Sequence, residues 1–260
     1  MEKAPVSVVV IAKNEEENIT ECLKSAAWAD EIIVVDDHST DRTVQIAKQF
    51  TDKIFSRKMD IEGKHRNYAY SLAKNNWVLS LDADERVSPL LAQELTELFK
   101  APIKDVVFCI PIKTFIGRRW IRYGGWYPAP KDRLFDKGIV KYEEANVHPR
   151  IIYHGSCGRF LKGDILHYSY RDFHDFFQSL NNQTTMEAMK WFGEKRKISF
   201  FKAYRKFLSR FLKHYFIEQG FRDGVMGLIA AWGGGFYQIM SYVKYWEMLN
   251  NEKFKIKNEK

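Results

Sequence analysis

Asp82 and Asp84 stand one residue apart at the end of an apolar run, Trp77-Val78-Leu79-Ser80-Leu81. Two carboxylates so spaced at a strand terminus can converge on a hard divalent cation. Mg²⁺ takes oxygen ligands and is often content with one or two carboxylates beside water and substrate phosphates. The same triplet also suits a turn in which Asp side chains bond the local backbone. A second run, Val34-Val35-Asp36-Asp37, ends on acids that can accept hydrogen bonds from a nucleobase N–H or from ribose hydroxyls. Ser39, Thr40 and Asp41 just beyond it suit the cap of a following helix, a role for which Asp36 and Asp37 lie too early. Lys64 and Arg66 precede or open a third helix. A cation there opposes the macrodipole, a bound anion relieves it, and the Arg fork matches a diphosphate. Ordinary solvated charge is the other account of that pair.

These residues need a frame to bring them together. Val6–Ala12 is a β-branched run of the kind buried in parallel sheets. Helical composition follows, with Asn14 as the expected N-cap. A strand is expected at Glu31–Asp37, a helix over 39–50, a short strand near Lys53–Ser56, a helix over 64–76, and a strand at Trp77–Asp82. A helix with Pro89 at its start and a strand over 105–113 complete the series. Strand and helix thus alternate over about 100 residues, which predicts an α/β fold with a mostly parallel sheet. Ligands of such sheets sit beyond the carboxyl ends of the strands. Asn14, Asp36, Asp37, Asp82 and Asp84 all fall there. From Phe115 to Tyr170 the pattern gives way to Gly, Pro, Trp and Tyr, and from Arg171 the chain turns helical and basic.

Composition narrows the classes. Hydrophobic residues make up 45% of the 260 and aromatics 15%, too apolar for a disordered chain. Net charge is +8, which allows nucleic acid, an anionic membrane or a phosphorylated substrate as partner. The charge is concentrated in one stretch and no nucleic-acid motif is present, so a nucleic-acid-binding protein is a distant alternative. Cys22, Cys109 and Cys157 are far apart in sequence and form no C-x-x-C. Scattered, they argue against a disulfide framework or a zinc site, and buried thiols in a reducing compartment are expected. No signal-peptide pattern precedes the Val6 run.

The segments VSVVVIAKNEEENI, IIVVDDHSTDRT, KHRNYAYSLAKNNWVLSLDADE and DRLF occur in an order and spacing that resembles family 2 glycosyltransferases of the GT-A fold, over residues 5 to 170. The later LHYSYRDF and the aromatic, basic tail look most like the branch that builds lipopolysaccharide core or related cell-envelope glycans. The resemblance implies a GT-A nucleotide-diphospho-sugar transferase fold, a Rossmann-like mostly parallel sheet flanked by helices. It implies a catalytic domain over 1–170, with a nucleotide-sugar half to about residue 100 and an acceptor half over 101–170. It further implies a nucleotide-sugar donor, UDP-linked in preference to GDP-linked, and a Mg²⁺ or Mn²⁺ ion. Asp36 would contact the base, with Ala12 and Glu16 lining the same pocket and Asp37 beside it. Lys64 and Arg66 would lie near base and phosphates, Asp82 would face ribose and metal, and Asp84 would ligate the metal. His167 is a further metal ligand or a core histidine. Arg133 binds a phosphate or pairs with an acid. Inversion in one displacement needs a general base. Glu144, Glu143 and His148 are its candidates, Glu144 ahead of Glu143. This chain has Pro149 where sequences of that branch often carry a Glu directly after the His.

Residues 190–222 hold ten Lys or Arg against two acids. Phe200, Tyr204, Phe207, Phe211 and Tyr215 recur at helical spacing, with Lys202, Lys206, Arg210 and Lys213 to the sides. Such a helix suits an anionic membrane surface, or packs its aromatic face on its own chain. Residues 224–243 carry no charge but five glycines, which favours a monotopic or intermolecular helix over a span. The expected molecule is therefore cytoplasmic and peripheral on the inner face of the membrane, with 171–260 as a helical membrane-surface or dimerisation extension and a homodimer among its possibilities. Its acceptor would be a glycolipid such as lipopolysaccharide core, with a polyprenyl phosphate or other envelope polysaccharide precursor as the alternative.

Overall fold

The computed structural model describes residues 3–144 and 150–258, with side chains to residue 251. In chain order the elements are β1 (Ala4–Ala12), α1 (Ile19–Ser25), β2 (Ala29–Asp36), α2 (Thr43–Ala47), β3 (Ile54–Ser56), α3 (Glu62–Ser71), β4 (Trp77–Asp82), β5 (Glu85–Val87), α4 (Pro89–Leu98), β6 (Val107–Ile110), β7 (Ile112–Ile116), β8 (Arg119–Trp120), β9 (Lys131–Asp136), β10 (Lys141–Tyr142), β11 (Ile151–Ile152), β12 (Ile165–Tyr170), α5 (Phe173–Gly193), α6 (Phe200–Leu212) and α7 (Gly224–Asn258). The chain divides into two compact units, 1–113 with 128–169, and 114–127 with 170–260.

In the first unit a six-stranded sheet runs β3-β2-β1-β4-β9-β6. β1 pairs in parallel with β2 and β4, and β2 with β3, whereas β9 joins antiparallel to both β4 and β6. The β-branched runs explain the centre: Val6, Val8, Val9 and Val10 of β1 are fully buried, as are Ile33, Val34 and Val35 of β2. One face carries the cluster around Ile19, Leu23, Leu79, Leu81, Leu91 and Leu95. The other carries Val9, Ile33, Tyr70, Val78 and Phe135. Parallel strands buried on both faces must end together, so the carboxyl termini of β1, β2 and β4 form one edge, with Ala12 opposite Asp36 and Ile11 opposite Asp82.

Three helix starts differ from the sequence expectation, and the third helix opens at Glu62, which places Lys64 and Arg66 inside α3. Asn14 does not cap α1: it adopts a left-handed φ of 54°, and the helix opens at Ile19 after Asn18. Its side chain is used elsewhere, accepting from Thr40 N at 2.8 Å, while Asn14 N donates to Ser39 Oγ at 2.9 Å. The second helix is correspondingly short, five residues from Thr43, because Ser39 and Thr40 serve this inter-loop latch. Pro89 stands at the start of α4 as expected, capped by Ser88. The cysteine expectation holds for Cys22 alone, which is buried. Cys109 is half-buried and Cys157 exposed, and their sulfurs lie 3.9 Å apart.

In the second unit α7 packs against α5 and α6. Phe200, Tyr204, Phe207, Phe211 and Tyr215 form a ladder of successive ring contacts with centroids 5.5 to 6.4 Å apart. Phe200 also meets Tyr242 of α7 at 5.8 Å. The aromatic face is therefore partly packed on its own chain, while Phe201, Leu208 and Leu212 of α6 stay exposed. Among the described residues no helix is long and apolar enough to cross a membrane.

Candidate functional site

At the carboxyl edge of the first unit's sheet, the loops after β1 and β2 are tied together. Besides the Asn14 bonds, Glu15 N donates to Thr43 Oγ1 at 2.7 Å and Glu16 N to Asp41 Oδ2 at 3.1 Å. Asp36 is buried, and its carboxylate accepts from Ser39 N at 3.1 Å, which turns the chain out of the sheet. Asp37 donates its N–H to Ala12 O at 2.8 Å and accepts from Lys13 Nζ at 2.9 Å and Met59 N at 2.8 Å. Burial alone would raise the Asp37 carboxyl, but these donors outweigh it and hold it below its ordinary value. Glu16 pairs with Arg42 at 3.0 Å. Ala12, Glu16, Asp36 and Asp37 thus share one braced rim.

β4 delivers the second group. Asp82 Oδ1 meets Arg66 Nη2 at 3.3 Å and Oδ2 meets Arg133 Nη2 at 2.9 Å. Arg133 Nη2 also donates to Glu85 Oε1 at 2.5 Å, and Glu85 Oε2 accepts from Asp82 N at 3.0 Å. Burial pushes the Asp82 carboxyl up, yet the two guanidiniums prevail and hold it well below the usual carboxylate range. Glu85, fully buried, is raised by that burial against the opposing pull of Arg133. Arg133 reaches this cluster because β9 slips register there: Phe108 opposes Leu134, whereas Cys109 opposes Asp132. Such a bulge re-aims the extra side chain. Arg133 therefore pairs with acids, one of the two roles the sequence left open for it.

Arg66 is set by α3, where Glu62 one turn earlier holds its Nε at 3.0 Å. It lies over the Tyr142 ring at 5.7 Å. Nη1 of Arg66 and Nε of Arg133 are buried and have no hydrogen-bond partner among the described residues. Arg66, Asp82, Asp132, Arg133 and Tyr142 line a cleft of about 380 Å³, with exposed Lys131 at its rim.

Asp84 and His167 form the third group. β5 and β12 pair antiparallel with Glu85 opposite His167, and Tyr168 N donates to Asp84 O at 3.0 Å. The ladder sets His167 Nε2 3.1 Å from Asp84 Oδ2, both side chains about one-fifth exposed. Burial would lower the His167 pKa, but the hydrogen bond and charge of Asp84, with Glu85 behind it, raise it. A carboxylate oxygen and an imidazole nitrogen converging at a solvent-reachable point fit a divalent ion, whereas both Asp82 oxygens already face guanidiniums.

The candidate bases lie after β10. Asn67 of α3 clamps that strand, its amide accepting from Tyr142 N at 2.9 Å and donating to Tyr142 O at 2.8 Å. A Cβ on Gly63 would stand 1.8 Å from Glu143 O, so only glycine lets α3 approach so closely. Glu144 is exposed and lies 3.5 Å from Lys64. Glu143 N bonds Arg150 O at 2.8 Å. His148 lies outside the described residues. Glu62, Asn67, Glu85 and Tyr142 have no role in the sequence expectation, although Glu85 stands as the fourth residue of DADE.

An uncharacterized glycosyltransferase of Rickettsia typhi, RT0209, is 28% identical over 236 residues, covering 86% of this chain and 80% of its own. The lipopolysaccharide core biosynthesis glycosyltransferase LpsC of Rhizobium meliloti is 25% identical over 255 residues, 94% of this chain and 93% of its own. A crystal structure of Staphylococcus aureus TarS 1–349 in complex with UDP aligns over 94% of this chain and 89% of that one, with 16% identity and a TM-score of 0.46. The model of glycosyl transferase family 2 matches residues 7–160, and the chain belongs to that family, as a glycosyltransferase of GT-A fold.

Proposed function

We propose that the chain moves a sugar from a UDP-sugar to a glycolipid acceptor of the lipopolysaccharide-core type, with inversion at the anomeric carbon. The observation that carries this reading is the approach of Asp84 to His167, at 3.1 Å, beside the Arg66–Asp82–Arg133 cluster at the edge where parallel sheets bind ligands. LpsC, alike over nearly its whole length, supports the acceptor class.

The braced rim of Ala12, Glu16, Asp36 and Asp37 receives the base. Asp82, kept ionised by its two arginines, accepts from the ribose. Arg66, Lys64 and Lys131 supply positive charge to the diphosphate. Asp84 and His167 would hold Mg²⁺ or Mn²⁺, which when bound acts as a Lewis acid on the departing nucleoside diphosphate. Glu144, on the strand exit clamped by Asn67, takes the acceptor hydroxyl proton, and Glu143 turns its backbone into the fold. In the second unit, the exposed flank of α6, with its Lys and Arg, rests on the anionic cytoplasmic face of the membrane, where such an acceptor is held.

A melting-temperature screen with Mn²⁺ tests the donor. UDP-sugars should stabilise the protein and GDP-sugars should not. Stabilisation by neither would overturn the donor assignment. Transfer to extracted polyprenyl phosphate in place of glycolipid would overturn the acceptor assignment alone.

A further inference from the structure

We propose that Cys109, Asp132 and Cys157 form a second metal site, for a borderline-soft divalent cation of the Zn²⁺ class. The three ligand atoms lie within 4.8 Å of one another. Cys109 on β6 and Asp132 on β9 are directly opposed partners of the antiparallel ladder, and Cys109 Sγ lies 2.7 Å from Asp132 Oδ1. Cys157 arrives from a separate segment that runs along β6. Val106 N donates to Ser156 O at 3.1 Å, Gly158 N to Val107 O at 2.7 Å and Leu161 N to Cys109 O at 3.1 Å. That approach is built into the sequence, because a Cβ on Gly158 would stand 2.4 Å from the Phe108 ring.

The sulfurs are 3.9 Å apart. A tetrahedral ion bound at about 2.3 Å to each of two thiolates sets them about 3.8 Å apart, so the sulfur pair already matches the edge of such a polyhedron. The closer Cys109–Asp132 contact is a thiol donating to a carboxylate. Binding sends one proton from each thiol to solvent, and the ion takes the place of that hydrogen bond. Two thiolates and one carboxylate leave a fourth position open. Thiolate ligands select against Mg²⁺, which separates this site from Asp84 and His167. Cys157 is exposed and Asp132 also lines the cleft, so an ion has a way in and sits at the cleft wall, pinning segment 156–161 to β6. The inference goes beyond the proposed function and does not depend on it.

Titration of the reduced full-length chain with Co²⁺ tests it. A sulfur-to-cobalt charge-transfer band should grow, saturate at one ion per chain and be displaced by Zn²⁺. Cys109→Ser and Cys157→Ser should each abolish saturation at one equivalent, and Asp132→Asn should weaken binding about tenfold or more. Asp84→Ala should leave the band intact, which keeps this result separate from the metal proposed for sugar transfer. Absence of the band in the parent chain overturns the proposal. So does a band that survives both serine substitutions, or one that Asp84→Ala removes.

Discussion

Near the amino ends of β1 and β2, the carboxylate of Glu31 is closed in on every side; at the carboxyl ends of the same layer, the charges of Asp82, Arg66 and Arg133 are not. Glu31 accepts from Ser7 Oγ, from Lys53 Nζ and, at 2.8 Å, from Lys74 N. Ser7 Oγ in turn accepts from Asn75 N at 3.2 Å and Asn75 Nδ2 at 3.1 Å, and Lys74 Nζ pairs with Asp30 at 2.8 Å. At the other end two buried guanidinium nitrogens have no partner among the described residues, and Asp82, Asp84 and His167 keep part of their surface open. Similar charge at the two ends of one sheet therefore serves different purposes, Glu31 at 2% side-chain exposure and Asp82 at 32%. A polar network with every member satisfied fixes a fold, whereas one left incomplete has binding free energy still to realise.

The largest way to break the contrast is Arg133→Met. It leaves Asp82 and the fully buried Glu85 without their shared cation, and loss of one partner from a buried ion pair costs about 3–5 kcal/mol. The urea midpoint should fall accordingly, and a variant as stable as the parent would show that this end carries no buried-charge constraint. Asp84→Asn tests the opposite property. Asp84 sits part-exposed beside His167, so the melting temperature should shift little. The turnover should fall about 10²–10³-fold, the size of effect that removal of one preorganised electrostatic group produces. Loss of stability with retained turnover would reverse the assignment of the two ends.

Strand ends were legible in the sequence because β-branched runs mark buried parallel strands and acids mark where they stop. Trp77–Asp82 is the strand expected, residue for residue. Contacts between distant segments left no such trace. Asn14 has the residue type of a cap, but its partners Ser39 and Thr40 lie 25 and 26 residues on. Glu85 gains its place only from Arg133, 48 residues away and re-aimed by a bulge that no local pattern announces. Cys109 and Cys157 have no metal-ligand spacing; they meet because Ser156–Leu161 runs beside β6. Periodicity reports which face a residue takes, and says nothing of which loop will cross it.

Glu31→Gln sharpens the comparison through pH. Burial raises the Glu31 carboxyl, but Lys53, Ser7 and Lys74 N outweigh it and leave the folded value below the unfolded one. A depressed carboxyl contributes stability above its unfolded pKa, about 4.3, and loses it as pH falls through the folded value. At pH 7 the variant should be less stable by about 1–3 kcal/mol. The gap to the parent should shrink as the pH is taken below about 4. Denaturant melts at both pH values measure it, and a gap constant with pH would assign the loss to packing instead of charge.

Ser7→Ala is the smallest test and the most specific one. The hydroxyl donates to Glu31 and accepts twice from Asn75, so its removal should cost about 1 kcal/mol and leave turnover unchanged. Asn75 Nδ2 retains Asp30 at 3.2 Å, which limits the loss. Because Ser7 and Glu31 share a network, their effects should not add. Once Glu31 is Gln, removing the hydroxyl should cost clearly less than in the parent. A double-mutant cycle gives that coupling directly. Strict additivity would mean that Ser7 and Glu31 stabilise the amino end separately, and that completeness of the network is not what distinguishes it from the carboxyl end.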